Sequence, residues 1–538
     1  MTNTLNKTAK RNVRLPSTGI LIFWMSVLVP SALFSQNQNL SNGVVFDGEP
    51  YLAINPANPQ NIVVAWMSWK WQQQIVIKTR ASFDRGSTWS EAVSIPHASP
   101  NNQSADPSMI FDESGNLFLS YVDYRKNPDS GAVYVVRSTD GGLSWGVPVE
   151  AINGFADGTK EPLDRPWIAI DRSAGNGQGN IYITTQPAPW INPPNRPYFI
   201  RSTDHGTTWD DWKYIDSTDW LVGNVIQSPM AMPAVSSDGT FFSIYPSYFF
   251  PQSIYARYLI AVSNNGGNTF NYYEVLKISS AIDEPLAKKG YVLITDPSDV
   301  NHLLFCYPDA TYGDADVFIT ESFDKGVTWT DPLRVNDDPQ GNGILQDLIW
   351  ADFDDDGNLV VNWRDRRSSG EPGFETAYEI WGAYRSKDSA SFSANFRISD
   401  TLIEYDDVLA NSGNDFLCVK LRNDTLYSVW GDTRTGKLNI WFQRMKVPGE
   451  HPNSISEMIT RKPLIEIYPN PAYDQITVSG KDIQEIRILK PDGKVLFRKT
   501  GDLQSEILDV SFIPAGIYFV RVKTRTGWIT KKFMVLNR

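Results

Sequence analysis

The chain has 538 residues, among them 37 Gly, 34 Pro, 18 Trp, 23 Tyr and 26 Phe; it exceeds one ordinary globular core, and its composition suits short aromatic strands and turns better than long helices. The net charge of −12 is unevenly spread: residues 1–35 carry four bases and no acid, and residues 454–538 fourteen bases against nine acids, which leaves −21 on residues 36–453. A central field of that sign excludes nucleic acid and anionic membrane as partners and concentrates cations near the surface.

At the N-terminus Lys7, Lys10, Arg11 and Arg14 precede an apolar run from Ile20 to Phe34, and Ser35-Gln36 follow. Residues 1–35 therefore read as a signal peptide. The run is short for a membrane span and nothing later approaches membrane length, so the mature chain is expected to have no transmembrane span. Cys306 and Cys418 each lie in an apolar strand-like run and are expected as buried free thiols.

Residues 36–445 hold a repeat. Ser-x-Asp-x-Gly-x-Thr-Trp recurs as Ser82–Trp89, Ser138–Trp145, Ser202–Trp209 and Ser322–Trp329, with Ser replacing Thr in the second copy and degenerate copies at Ser263–Phe270 and Ser386–Phe392. The Asp can accept turn N–H groups, the Gly takes a backbone angle that costs other residues dearly, and the Trp covers the turn. Each copy is one landmark in a unit of four strand-like runs, as in Pro107–Phe111, Leu117–Val122, Val133–Arg137 and Trp145–Val149. Seven such units begin near Glu49, Asp106, Asp164, Ser228, Gly290, Gln346 and Asn414.

These repeats resemble the Asp boxes of the sialidase (BNR repeat) family. The resemblance implies an all-β protein built as a β-propeller, with seven blades preferred over six and the last blade closed by an early strand, Gly43–Phe46. Residues 446–463 read as a linker, and residues 464–538 as a small Ig-like β-sandwich. Within it Tyr468-Pro469-Asn470-Pro471, Asp492-Gly493-Lys494-Val495 and Pro514-Ala515-Gly516-Ile517-Tyr518 resemble the type A sorting domain of the type IX secretion system. This implies the type IX machinery as a partner and secretion to the outer surface of a Bacteroidota-type bacterium.

In a four-stranded blade the Asp-box turn emerges on one face, while the starts of first strands and the ends of second strands emerge on the other. Chemistry is expected on the second face, where Tyr121–Arg125, Trp363–Arg367 and Trp430–Arg434 join acids at the strand-one starts. A sialidase-like mechanism needs arginines that fork onto a sugar carboxylate, an acid, and a Tyr activated by Glu. The candidates are Arg125, Arg165, Arg366 and Arg434 for binding, Asp106 and Asp164 as acids, and Tyr378 with Glu375 as the nucleophile pair. The family's early Phe/Tyr-Arg-Ile-Pro motif is missing, and Gly48-Glu49-Pro50-Tyr51 stands in its place.

No cofactor is expected, with calcium left open: Asp352–Gly357 opens like an EF-hand loop, but its twelfth position is Trp363, which favours a plain turn. The functional expectation is a surface glycoside hydrolase that trims terminal acidic sugars of glycans or glycoproteins. The alternative is a non-catalytic propeller that binds glycan or protein.

Overall fold

The computed structural model describes residues 36–70, 74–126, 129–158, 162–278, 290–406, 414–448, 465–491, 494–524 and 527–536. The expected signal peptide and residues 449–463 of the expected linker lie outside them. The chain divides into one compact unit ending at Gly449 and a second beginning at Glu450.

The first unit contains seven four-stranded antiparallel sheets in chain order. Blade 1 comprises Asp47–Ile54, Ile62–Lys70, Gln74–Ser82 and Val93–Ser94; blade 2 Gln103–Phe111, Leu117–Lys126, Asp129–Ser138 and Val149–Asn153; blade 3 Leu163–Ile170, Ile181–Pro187, Tyr198–Ser202 and Lys213–Tyr214. Blade 4 is Met232–Val235, Phe241–Ser247, Ala256–Ser263 and Asn271–Ile278, and blade 5 is Val292–Thr295, Leu303–Asp309, Asp316–Ser322 and Leu333–Arg334. Blade 6 is Gln346–Phe353, Leu359–Asp365, Glu379–Arg385 and Phe396–Arg397, and blade 7 is Cys418–Arg422, Thr425–Asp432 and Asn439–Lys446, completed by Gln38–Asn39. First strands pack against first strands from each blade to the next, and the first strand of blade 7 packs against that of blade 1. This closed ring is a seven-bladed β-propeller.

The second strands are nearly continuous apolar runs, such as Ile62–Met67 and Leu303–Tyr307, because they are covered by blades on both sides. Cys306, in the second strand of blade 5, and Cys418, in the first strand of blade 7, are free and buried, and burial pushes both thiols up, that of Cys418 to about 12. The closing strand differs from expectation. Gln38–Asn39 pairs with Trp441 and Phe442, whereas Phe46 makes only an isolated bridge to Leu438. Leu40 is buried while Val44 and Val45 are exposed, so the apolar anchor lies upstream, and residues 43–46 turn the chain toward blade 1 with Gly43 N–H donating to Asp47.

The Asp boxes brace the hairpins between third and fourth strands. In the first, Asp84 Oδ1 accepts from Thr88 N–H at 2.8 Å, its Oδ2 accepts from the Thr88 hydroxyl at 2.6 Å, and Ser82 Oγ accepts from Gly86 N–H at 2.8 Å. Arg85 and Gly86 take positive φ, and a Cβ on Gly86 would lie 2.5 Å from Phe442. The Asn265 version makes the equivalent bonds. An amide oxygen accepts here as a carboxylate does.

The second unit has one five-stranded sheet: Glu466–Tyr468, Gln475–Leu489, Val495–Asp509, Gly516–Thr524 and Gly527–Val535. The strand-like runs Gln475–Val478 and Glu485–Leu489 share one long strand, Gln475–Leu489. The first half of Gln475–Leu489 pairs with Glu466–Tyr468 and the second half with Gly516–Thr524, with register shifts between Ser479 and Glu485. Its core includes Ile476, Val478, Ile486, Ile488, Val520 and Phe533.

Candidate active site at the propeller mouth

The first strands do not enter the ring smoothly. In blades 1, 2, 3 and 6 the pairing with strand two shifts register between Gly48 and Tyr51, Ala105 and Ser108, Asp164 and Trp167, and Asp347 and Trp350. Each shift is a bulge around a non-glycine residue of positive φ: Glu49 (52°), Asp106 (56°), Arg165 (51°) and Leu348 (50°). Three of the four precede proline, as Pro50, Pro107 and Pro166. Side-chain-bearing residues in this region cost about 1–3 kcal/mol each and persist where surrounding structure holds them. The strain repeats at one end of the ring, the mouth of the propeller.

Two residues beyond the bulge, Tyr51, Trp167 and Trp350 from blades 1, 3 and 6 meet with ring centroids 5.6–6.1 Å apart, and Phe416 of blade 7 lies 4.9 Å from Trp167. Rings from non-neighbouring blades can touch only at the axis. They form an apolar floor.

The bulges aim polar side chains onto this floor. Glu49, Asp106 and Asp164 stand within hydrogen-bonding reach in the order Glu49–Asp106–Asp164. Asp106 Oδ2 also accepts from Arg165 N–H at 3.1 Å. Arg165 places Nη2 2.6 Å from Asp415 Oδ2 and Nε 3.6 Å from Asp164 Oδ2, and its guanidinium lies 5.1 Å from the centroid of the Phe416 ring. Asp164, Arg165 and Asp415 are each 16–18% exposed, so a ligand can reach them, whereas Glu49 is 4% exposed.

These carboxyl groups cannot all ionise. Burial, then the charge of Asp106, pushes Glu49 and Asp164 well above the usual carboxylate range. Burial opposes ionisation of Asp106 too, but hydrogen bonds from Glu49 and Asp164 and the charge of Arg165 hold it below that range. Asp106 thus ionises more readily than Glu49 and Asp164 on either side of it. Tyr124, at the end of strand two of blade 2, is raised to about 12 by burial and by the charges of Asp106, Asp164 and Glu49.

The sequence candidates divide. Asp106, Asp164 and Arg165 come together at the axis, and Arg125 is exposed at the end of strand two of blade 2. Arg366 does not present a free fork. It is 1% exposed, donates to the carbonyls of Phe374 and Leu345, and shares Asp347 with Arg364, which grips that carboxylate at 2.6 and 2.5 Å. Arg434 is also occupied. It bonds Asp432, Asp400 and Asn37 and stacks on Trp441 at 4.1 Å. Tyr378 and Glu375 are not a pair. The Tyr378 hydroxyl is buried and donates to the Gly431 carbonyl at 3.3 Å, burial raises its pKa strongly, and Glu375 is exposed.

Arg434 belongs to a structural device. Trp363-Arg364-Asp365-Arg366-Arg367 and Trp430-Gly431-Asp432-Thr433-Arg434 share Trp-x-Asp-x-Arg. In both, the indole N–H donates to the Asp, the Asp accepts from the Arg backbone N–H at 2.8 Å, and the guanidinium stacks on a strand-three Trp, Trp381 or Trp441. Aligning the two segments would have shown Arg367, not Arg366, as the counterpart of Arg434.

The Asp352–Gly357 loop is a turn. Asp354 accepts from the N–H groups of Asp356 and Asn358, as Asp112 does from Ser114 and Asn116, while Asp352 pairs with Lys420 at 2.8 Å. Among the described residues no group of three or more His, Cys, Asp or Glu is placed to hold a metal ion.

Residues 466–536 match the secretion system C-terminal sorting domain family. The chain is therefore a type IX secretion substrate, sent to the surface or medium of a Bacteroidota-type bacterium, and among its described residues no helix is long and apolar enough to cross a membrane. Beta-agarase D of Zobellia galactanivorans is 33% identical over 73 residues, which is 14% of this chain; the chain spans 15% of the length of that curated relative. Among solved structures, Hadza microbial sialidase Hz136 aligns over 76% of this chain and 68% of its own with 13% identity and a TM-score of 0.39. Penicillium chrysogenum alpha-L-arabinanase aligns over 76% and 98% with 11% identity and a TM-score of 0.40. The assignment as a propeller rests on the chain's own sheet order and ring closure.

Proposed function

We propose that the protein is a secreted glycoside hydrolase whose reaction runs at the axial mouth. One observation carries the reading: Asp164, whose pKa is pushed well up by burial and by the charge of Asp106, lies beside Asp106, which is held below the usual range, with Asp415 on the other side of the Arg165 guanidinium. Groups whose surroundings push their pKa values apart divide acid and base roles at neutral pH. Asp164 donates a proton to the leaving glycosidic oxygen; Asp106 holds that proton in place beforehand, and the hydrogen bond from Glu49 helps keep Asp106 ionised. Asp415 acts from the far side, on water or on the anomeric carbon. One guanidinium and two ion-pair contacts separate Asp164 from Asp415, a span of the order of the ~5–9.5 Å over which paired carboxyl groups cleave glycosides.

The charge at the mouth favours a neutral sugar over an acidic one. One arginine faces four carboxyl groups, and its fork is already taken by Asp415 and Asp164. A sugar carboxylate would find no free guanidinium pair there. The test is hydrolysis of a panel of fluorogenic neutral glycosides and a sialoside by the full chain. Turnover of a neutral member, lost in Asp164→Asn, supports the reading. Turnover of the sialoside alone would overturn the neutral preference, and glycan-array binding without turnover of any member would replace hydrolysis by binding.

A further inference from the structure

Chain direction places the turns between second and third strands, and the connections from each blade to the next, on the mouth face. In blades 3 and 4 three such segments concentrate exposed apolar side chains: Trp190 in 188–195, Val225 in 217–231, and Tyr248, Phe250, Ile254 and Tyr255 in 248–255, each 40–71% exposed. Single exposed apolar residues are ordinary, but a cluster on neighbouring loops marks a surface that meets a ligand or partner. These segments hold one charged residue, Asp219, although residues 36–453 as a whole carry −21.

The three segments are tied to one another. Asn195 Nδ2 bridges the carbonyls of Ile191 and Gln227 at 2.9 and 2.8 Å, and Tyr248 N–H donates to the Val222 carbonyl at 2.8 Å. The Ser247 hydroxyl donates to the Leu221 carbonyl at 2.7 Å, while the Gln252 amide accepts from Leu221 N–H at 3.2 Å and donates to the Thr218 carbonyl at 2.9 Å. Gly223 takes φ 104°, and a Cβ there would lie 2.2 Å from the Tyr248 carbonyl oxygen. The surface is fixed before a ligand arrives, which lowers the ordering cost of binding. It also begins at the mouth. Gln186 Nε2 donates to Asp164 Oδ2 at 3.3 Å, and Trp190 follows four residues later; Met230 Sδ lies 3.9 Å from Arg165 Nη1, and Val225 precedes it by five residues. In a ring of seven, blades 3 and 4 are the two farthest from blade 7, which carries Asp415.

We propose that this rim is a platform for the sugar rings on the leaving side of the scissile bond, so that the substrate is a neutral polysaccharide whose chain runs out of the mouth over blades 3 and 4. The proposal rests on the reading in which Asp164 protonates the leaving oxygen and Asp415 acts from the opposite side, because the departing chain then lies on the side of blade 3. The chemistry selects the ligand. Flat aromatic faces match the C–H faces of sugar rings, and the exposed amides of Asn224 and Gln227 can donate to and accept from hydroxyls without charge. The three segments contain no Lys or Arg, so an acidic sugar or an anionic lipid surface finds no cation in them to pair with.

The experiment runs the full chain through native gels containing laminarin, xylan or hydroxyethyl cellulose, as wild type and in the Asp164→Asn background, where cleavage does not shorten the polymer. It is paired with kcat/KM on neutral oligosaccharides of two to six rings cut from whichever polymer retards the chain. Phe250→Ala and Trp190→Ala should each weaken retention about fivefold, the scale of one lost aromatic contact. Phe323→Ala, which removes a ring of similar exposure (58%) on the Asp-box face, should not. The wild-type kcat/KM should rise about tenfold with chain length, and the rise should shrink in Phe250→Ala. Retention without turnover, weakened by the rim variants, would support the rim as a saccharide surface while overturning the hydrolysis it serves. Turnover indifferent to chain length, with equal retention in wild type and both rim variants, would overturn the platform and leave hydrolysis standing. The platform would also fall if no polymer retarded the chain, or if sedimentation showed self-association that Phe250→Ala abolishes, which would give the rim to a second copy of the chain.

Discussion

The two faces of the propeller use the same residue in opposite states. On the Asp-box face, Asp84, Asp140, Asp204 and Asp324 are ringed by hydroxyl and backbone donors; the Thr88 bonds hold Asp84 down to about 2, and the other three lie below the usual carboxylate range. At the mouth, Glu49 and Asp164 are buried among other carboxyl groups and are pushed up. Donors keep an aspartate ionised and inert, whereas carboxyl neighbours without enough donors make it a proton carrier. Repetition on one face therefore signals architecture, and the chemistry we propose rests on the crowding at the other.

The sharpest way to break this comparison is Asp164→Asn. It should cut turnover of a neutral glycoside about 10²–10⁴-fold, the usual contribution of a positioned acid, with the thermal midpoint held or raised because a desolvated carboxyl group is removed. Equal loss of stability and activity would make Asp164 a brace like the box aspartates. Next in size is Arg366→Ala, which leaves Asp347 half-answered in the core. It should cost about 3–5 kcal/mol in urea unfolding, while activity per folded molecule is retained. A stable, inactive Arg366→Ala would return that arginine to the site.

A third, smaller effect concerns pH. On the box face of blade 5, His302 bonds Asp296 and Glu321, both at 2.9 Å, and Arg385 grips the same Glu321. Burial opposes its charge, but the two carboxylates raise His302 to about 9, and His302 and Arg385 hold Glu321 down to about 2 against its own burial. His302 thus contributes fully below its ordinary pKa of 6.5 and loses that contribution as pH rises through 9; Glu321 contributes fully above 4.5 and loses its share as pH falls through 2. The difference in unfolding free energy between wild type and His302→Gln should be largest near pH 5–6 and shrink toward pH 9. A flat difference would dismiss the charged network.

The smallest effect should be Asp84→Asn, because Asn265 already does that work in blade 4. We expect less than about 1 kcal/mol for Asp84→Asn and about 1–2 kcal/mol for Asp84→Ala, measured by denaturant midpoint. An equal loss in both would mean that the negative charge, not the acceptor geometry, braces the turn.

Much of the architecture was legible because it is local. The box needs Ser, Asp, Gly and Thr within seven residues, so its turn is written in consecutive letters, and seven unit starts give seven blades. The sorting domain was legible for the same reason, through short Pro- and Gly-containing turns. The closing strand was misplaced by a few residues because its partners, Trp441 and Phe442, lie at the far end of the unit, and the burial of Leu40 that anchors it is a property of the closed ring.

The site was half legible. Strand direction gathered Asp106, Asp164 and Arg165 on one face, but the ionisation of those groups depends on partners far along the chain, such as Asp415, 250 residues from Arg165. Arg366 and Arg434 looked available for the same reason in reverse: a strand-end arginine is free or spent according to what the next loop brings to it. By itself the sequence determined repeats, turns and direction, which arise from neighbours in the chain. The tertiary structure alone decided which carboxyl groups crowd and which arginines are answered, because burial and charge are properties of neighbours in space.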